Sequence, residues 1–285
     1  NRSSRICNPL RNLSANPPEP HSRAGAGYTG SSPRASLCPR LPSLGFCGKT
    51  GTTGDMPPAS AHWPCERETP MTDLAATRVT MVDTQVRPND VTKFPIIAAM
   101  LEVPREAHVP DALRGAAYMG EHLPLGPARV MLEPRALAKL LDALDVQPDE
   151  RVLVIGAGYG YTAALLARIA GSVVAVEEDR AMADEAARRL AAEDRVTVRQ
   201  GALTAGAPTD GPYDAILVEG GAVTLPAALA GQLKPGGRVG AIFMEGALGV
   251  ARVGYLIDGA YSWRQAFNAA APVLPGFAPE PAFQL

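Results

Sequence analysis

A glycine-rich segment after a short apolar run is the part of this sequence best suited to chemistry. Arg151–Ile155 is predicted to be a buried parallel strand, and Gly156–Gly160 follows it at the start of a predicted helix. Glycines let the backbone turn sharply and approach a ligand near the positive end of a helix. Glu177 ends the next predicted strand, where carboxylates accept hydrogen bonds from ribose hydroxyls. These positions predict a nucleoside-containing cofactor.

The glycine spacing favours one kind of nucleoside. Nicotinamide dinucleotides are bound by the pattern G-x-G-x-x-G, whereas this chain has G-x-G-x-G followed by Tyr161, the pattern typical of S-adenosylmethionine loops. A dinucleotide is therefore the less favoured ligand. A second alternative is a glycine-rich turn beside a solvated acidic cluster, Glu177–Asp179, that binds nothing.

The predicted elements form an α/β fold with a doubly wound, mostly parallel sheet, because strands alternate with helices. Two antiparallel strands joined at Asp258-Gly259 form a hairpin at one edge, and helices precede the sheet. Helices are predicted over 93–102, 134–145, 161–170, 180–192 and 225–233, and strands over 151–155, 172–176, 196–199, 213–218, 238–243, 250–257 and 261–266. The proline-containing tail 272–285 is expected to lie extended on the surface.

The first 70 residues differ in composition from the remainder. They contain all four cysteines, 11 of the 27 prolines, and eight Lys and Arg against four Asp and Glu, without helical or strand periodicity. Such a segment buries too little apolar surface to offset its ordering entropy. We expect residues 1–70 to be a disordered extension outside the fold, with Met71 or Met81 as a natural start, and 71–285 to be the folded domain.

The overall composition excludes several classes of protein. The formal charge is −2, so no basic field argues for nucleic acid, and no apolar run approaches the roughly 18–20 residues of a membrane span. The cysteine spacings contain no C-x-x-C pair, and His21 and His62 fit no zinc pattern, so no metal site is expected. Residues 71–285 contain no cysteine, which fits a cytoplasmic protein, and a monomer is expected as well.

Several short motifs resemble the protein-L-isoaspartate O-methyltransferase family between about residues 81 and 245. The segment 101–110 resembles the family's VPRE-x-FVP, 85–87 its QLR, and Tyr118 with 123–126 its AY…LPIG. The loop 152–161 and the segments 212–218 and 232–238 complete the resemblance. General methyltransferases lack the motifs that precede the loop, so the resemblance is specific.

This resemblance implies a class I, Rossmann-like methyltransferase that esterifies the free carboxylate of isoaspartyl residues in damaged proteins or peptides, with S-adenosylmethionine as cofactor. The implied cofactor-binding residues are Gly156, Ala157, Gly158, Tyr159, Gly160, Glu177, Glu178, Gly201, Ala202 and Glu219. Glu219 ends the fourth predicted strand of the sheet, where its carboxylate is expected to bind the cofactor's ammonium group.

Three positions depart from the family pattern. Leu132 occupies the place of the serine that faces the substrate carboxylate, Val154 replaces an acidic cofactor contact, and Gly201-Ala202 replaces Gly-Asp near the adenine. A lost hydroxyl contact of about 1.5–3 kcal/mol corresponds to roughly a tenfold to hundredfold loss of rate. If Leu132 is exposed at the pocket mouth, Leu132→Ser should restore activity; if it is buried, the change should only destabilise the fold.

Two further residues are candidates for the substrate side of the site. Glu133 follows Leu132 and either faces the substrate or points to solvent at the start of a helix, and His122 is a candidate for lining the substrate mouth. The departures leave two alternatives to isoaspartyl methylation: another carboxylate substrate, or a non-catalytic protein that binds the cofactor or a protein partner.

We expect deletion of residues 1–70 to leave the melting temperature of the remaining domain unchanged, since the deleted segment has no periodic apolar pattern. Thermal unfolding of the full chain and of 71–285 tests this. A decrease of several degrees on deletion would make the segment structural.

Overall fold

A seven-stranded sheet organises residues 73–279, the part of the chain that the computed structural model describes. In chain order, the strands of this part are β1 Leu123–Gly126, β2 Arg129–Met131, β3 Arg151–Ile155, β4 Ser172–Glu177, β5 Val196–Gln200, β6 Tyr213–Ala222, β7 Leu233–Glu245, β8 Leu248–Ile257 and β9 Ala260–Asn268. The sheet order is β5-β4-β3-β6-β7-β8-β9, parallel as far as β7 and antiparallel from β7 to β9. The predicted α/β fold with a terminal hairpin is confirmed.

The helices follow from the spacing of apolar residues. Their bounds are α1 Leu74–Met81, α2 Phe94–Glu102, α3 Pro134–Leu144, α4 Tyr161–Ala167, α5 Arg180–Arg189 and α6 Ala227–Ala230. In α3 the buried Leu137, Leu141 and Leu144 recur at helical spacing, and Pro134 occupies the first turn. The predicted helices at 93–102 and 134–145 are thereby confirmed, as are helices before the sheet.

The two faces of the sheet bury alternate residues of each central strand. Val152 and Val154 of β3 join a core with α3 and α4, whereas Leu153 and Ile155 join a smaller core on the other face. This alternation is the period of a β-strand with both faces covered. Because β3 pairs in parallel with both β4 and β6, the carboxyl ends of the three strands lie along one edge, where the glycine-rich segment begins.

The helix predicted over 180–192 ends at Arg189, and two further predicted helices are also shorter than expected. The helix predicted over 161–170 ends at Ala167, and the helix predicted over 225–233 contains only Ala227–Ala230. The helix Ala227–Ala230 cannot continue, because the Gln232 side chain accepts a hydrogen bond from Ala207 N, in the loop after β5, at 2.9 Å. The next residue, Leu233, begins β7. Helix propensity depends on local sequence and therefore does not predict such a tertiary contact.

The C-terminal segment 269–279 packs against the carboxyl edge of the sheet. Leu274 and Phe277 are 2% and 0% exposed, and Leu274 N donates to Gly221 O at 2.9 Å. The amides of Val223 and Thr224 donate to Phe277 O at 2.7 and 3.0 Å. Within 272–279, five residues are exposed, which agrees with the predicted surface placement of the tail, whereas Leu274 and Phe277 insert into the second core, which was not predicted.

The predicted extension, residues 1–70, lies outside the described residues, as do all four cysteines. In the described part, none of the helices combines the length and the apolar character needed to cross a membrane.

Candidate active site

The loop Gly156–Gly160 joins β3 to α4 in a conformation that requires glycine. Gly156, Gly158 and Gly160 have φ values of +79°, +54° and +87°. A side chain at Gly158 would also place its Cβ 2.7 Å from the Leu125 side chain. Both features exclude larger residues, because positive φ is strained for other residues and no space is available. The predicted sharp turn is thus present at the edge of the sheet.

Glu177 lies at the end of β4 directly beside this loop. Its buried carboxylate accepts hydrogen bonds from the amides of Gly158, Glu178 and Asp179 at 2.9, 2.8 and 3.0 Å. It also accepts one from Arg129 Nε at 3.0 Å. These four donors occupy the acceptor positions that the sequence analysis expected ribose hydroxyls to use.

Arg129 comes from β2, in the short antiparallel hairpin that β1 and β2 form over the loop. Its side chain is 5% exposed, and its Nη2 lies 3.6 Å from the Glu178 carboxylate. The same hairpin brings Leu125 against Gly158 and places Gly126 against the Met182 side chain. Arg129 is not among the predicted site residues, because nothing in the spacing of 123–131 indicates that its side chain pairs with a residue 48 positions away.

The end of β6 contributes a second buried carboxylate. Glu219 is 3% exposed, and burial raises the pKa of its carboxyl to about 8 against the opposing effects of Thr162 and Arg105. Next to Glu219, a Cβ atom added at Gly220 would lie 2.6 Å from the Leu274 side chain. A Cβ atom added at Gly156 would lie 3.3 Å from that side chain. Leu274 therefore covers the point where β3 and β6 diverge, the usual ligand position in such sheets.

The substrate-side candidates are held by other parts of the chain. Leu132 is fully buried, which is the second of the two placements considered for it, and its backbone carbonyl accepts from Arg105 Nη2 at 2.7 Å. Glu133 forms a 2.5 Å ion pair with Arg135 and is partly exposed. His122 accepts from Glu133 N at 2.9 Å through Nδ1, so its Nε2 carries the proton and donates to Ala270 O at 2.7 Å. His122 thus ties the hairpin to the C-terminal segment.

The remaining candidates differ in their surroundings. Glu178 and Ala202 are exposed, and a Cβ at Gly201 would meet nothing within 4 Å, so this side of the loop has space. The Tyr159 ring packs under the Arg189 guanidinium, 4.7 Å from its centroid. Ala157 is buried within the loop. Within residues 73–279, no group of three or more His, Cys, Asp and Glu side chains has a metal-binding arrangement.

Comparisons with known proteins identify the family whose sequences this chain resembles. The family model "Protein-L-isoaspartate(D-aspartate) O-methyltransferase (PCMT)" matches residues 78–243. A protein-L-isoaspartate O-methyltransferase of Methylorubrum extorquens is 44% identical over 174 residues, covering 61% of this chain and 76% of the relative. A second, from Rhodopseudomonas palustris, is 45% identical over 170 residues, covering 59% and 69% of the two chains.

Two solved structures share the fold. One named protein-L-isoaspartate O-methyltransferase has a TM-score of 0.61 and 25% identity, covering 70% of this chain and 66% of its own. A Plasmodium falciparum chain in complex with S-adenosyl-L-homocysteine has a TM-score of 0.57 at 15% identity, covering 70% and 97%.

We expect Leu132→Ser to lower the free energy of unfolding by about 2–5 kcal/mol, since it leaves a cavity and buries a hydroxyl. Urea unfolding measures the change. Leu248→Ser, at a 77% exposed position, is the control and should change stability by less than about 0.5 kcal/mol. A Leu132 variant as stable as the control would mean that this side chain is not part of the core.

Proposed function

Since the chain belongs to the protein-L-isoaspartate O-methyltransferase family, we propose that it transfers a methyl group from S-adenosylmethionine to the free carboxylate of isoaspartyl residues in proteins. One observation carries the proposal: the family match covers the segments before the glycine loop as well as the loop itself. Those earlier segments supply the hairpin and the helices that border the loop.

The residues at the sheet edge fit this cofactor on one condition. The Gly156–Gly160 loop and the carboxylate at the end of β4 are in place, and the neighbouring Gly201 has open space. The condition is that Arg129 leaves Glu177, because all acceptor positions of that carboxylate are occupied by protein donors. In this proposal Glu177 holds the ribose hydroxyls, the loop lies against the nucleoside, and Gly201-Ala202 borders the adenine.

Methyl transfer to a carboxylate requires that the substrate be positioned, and it requires no general base. When bound, S-adenosylmethionine supplies an electrophilic methyl group on a sulfonium centre. The attacking carboxylate is already ionised at neutral pH, so no side chain has to remove a proton. The chain's contribution is to align the carboxylate and exclude water. The covering segments, the β1–β2 hairpin and residues 269–279, are suited to exclude water from this edge.

Leu132 favours a second candidate function. Because it is buried and has no hydroxyl, it cannot hydrogen-bond a substrate carboxylate from the position of the family's serine. A different carboxylate substrate, or a role as a cofactor-binding interaction protein, would need no such contact. The main proposal also includes a protein or peptide substrate, action as a monomer and a cytoplasmic location. It takes residues 71–285 as the methyltransferase domain and residues 1–70 as dispensable.

Methyl transfer from radiolabelled S-adenosylmethionine tests the function. An isoaspartyl peptide should be esterified, whereas the same peptide with a normal aspartyl residue should not, because only the isomer presents the expected carboxylate. Equal labelling of both peptides would favour another carboxylate substrate. No labelling, with S-adenosylhomocysteine still bound in calorimetry, would favour the non-catalytic role.

We expect Arg129→Gln to bind S-adenosylhomocysteine about tenfold more tightly than wild type, since Glu177 is then free to accept from ribose without loss of a charge-assisted bond. Isothermal calorimetry measures the affinity. The melting temperature should fall, because Glu177 retains only backbone donors. The control is Arg252→Gln, which removes a partly exposed arginine that pairs with Glu245 at 3.5 Å. It should change neither the affinity nor the melting temperature. An unchanged affinity in Arg129→Gln would show that Arg129 does not compete with the cofactor.

A further inference from the structure

The tip of the glycine loop is held by a histidine that the proposed function does not use. His108 Nδ1 lies 3.0 Å from the carbonyl oxygen of Tyr159, the loop residue between Gly158 and Gly160. A carbonyl oxygen only accepts hydrogen bonds, so Nδ1 carries the proton and donates it. His108 is 5% exposed, and its ring centroid lies 5.8 Å from that of Tyr161. The hydrogen bond is therefore shielded from competition with water.

Arg189 of α5 contacts the same loop residue. Its guanidinium lies 4.7 Å from the centroid of the Tyr159 ring. Its Nη1 donates to the carbonyl oxygens of Ala107 and Val109 at 2.8 and 3.0 Å, one on each side of His108. One arginine therefore contacts the Tyr159 ring and also fixes the backbone that carries the hydrogen-bond donor to Tyr159.

The donor is a departure from the family motif. His108 stands at the phenylalanine of VPRE-x-FVP, in a segment that otherwise resembles this motif. A phenylalanine ring has no N–H group, so it would leave the Tyr159 carbonyl without this donor. An unsatisfied carbonyl in a part-buried position favours a conformation in which it reaches water. The loop of this chain therefore has a restraint that the motif residue does not provide.

We propose that His108 is a positioning residue, which together with Arg189 keeps Tyr159 and the adjoining glycines in the conformation that faces the cofactor. We call this conformation the closed loop. Neither side chain has to touch the ligand to have this effect. The expected effect on cofactor binding rests on the proposed function, whereas the restraint on the loop is present without a ligand.

A histidine in this place makes the closed loop dependent on pH. Burial lowers the pKa of His108, the hydrogen bond to Tyr159 opposes this, and Arg189 lowers the pKa further. The ring therefore stays neutral in the closed loop at a pH where an exposed histidine, with a pKa of about 6.5, takes up a proton. Because the open loop exposes the ring, it binds more protons than the closed loop below about pH 6.5, and acid favours opening.

The groups around His108 belong to several elements. Those that face it are titratable or charged: Arg189 of α5, Glu193 after α5, Tyr161 of α4 and Glu106 of its own turn. The same surface cavity is lined by three further charged residues, Asp111, Arg114 and Arg188.

Amide hydrogen exchange of the ligand-free protein tests the restraint. Gly158 N donates to the Glu177 carboxylate at 2.9 Å and Gly160 N to Ala157 O at 2.8 Å, so the closed loop protects both amides. His108→Phe, which keeps a ring without a donor, should lower their protection about threefold or more at pH 7. His108→Asn places an amide nitrogen where Nδ1 lies, and should keep the protection within about twofold of wild type.

The pH dependence of wild type is a measurement that needs no substitution. Between pH 7 and pH 5.5, the protection of the two amides, corrected for the intrinsic exchange rate, should fall about three- to tenfold. In His108→Asn and His108→Phe it should stay constant, because neither side chain titrates. A merely structural role of the ring would not produce this difference.

Two neighbouring arginines provide a matched pair of variants. Arg188 and Arg189 bond Glu185 at 2.6 and 2.7 Å, but the Arg188 side chain is 70% exposed, whereas that of Arg189 packs on Tyr159. Arg189→Gln should lower the protection of the loop amides about threefold or more. The control, Arg188→Gln, should leave it within about twofold of wild type.

Calorimetry with S-adenosylhomocysteine connects the restraint to the proposed function. His108→Phe should weaken binding about threefold or more at pH 7, and His108→Asn should bind within about twofold of wild type. Wild-type affinity in His108→Phe would overturn the positioning role. Amide protection that is the same in His108→Phe and wild type, and that does not depend on pH, would overturn it as well. If protection changes as expected while wild type binds no S-adenosylhomocysteine, His108 still restrains the loop and the proposed function fails.

Discussion

The buried ion pair between Arg129 and Glu177 joins three parts of the site that are separate in the sequence. Arg129 belongs to the β1–β2 hairpin, Glu177 to the end of β4, and the same carboxylate holds the amide of Gly158 in the loop. Removing one member of such a pair costs about 3–5 kcal/mol, because the other charge stays buried. The shape of the loop and the position of the hairpin therefore depend on one carboxylate.

The two buried carboxylates at this edge have different surroundings. Glu177 has a cation and three amides around it, whereas Glu219 is equally buried but has an unpaired oxygen and a pKa of about 8. Two acids in one site with such different partners are suited to different roles. A neutral partner such as a ribose hydroxyl can replace the donors of Glu177, while Glu219 gains most from a cationic partner.

The sequence predicted those parts of the site that depend on neighbouring residues. The loop, the strand before it and the carboxylate at the end of β4 follow from local apolar runs and glycine spacing, which act over a few residues. Arg129 and Leu274 were not predicted as site residues, since their contacts join segments far apart in the chain and depend on how the hairpin and residues 269–279 fold over the edge. The sequence left open whether Leu132 is exposed or buried for the same reason: its burial depends on a core built from segments that are far apart in the chain.

A site filled by its own side chains has a definite consequence for affinity. Under the proposed function, the cofactor binds only molecules in which Arg129 and Leu274 have moved away, so the apparent dissociation constant equals the intrinsic one divided by the fraction of such molecules. If the open form were about 1% of the population, affinity would be about a hundredfold weaker than the open site allows. His122 connects the two covering segments, because it bonds Glu133 beside the hairpin and Ala270 in the C-terminal segment. If either segment moves, it must break a His122 hydrogen bond or carry the other segment with it.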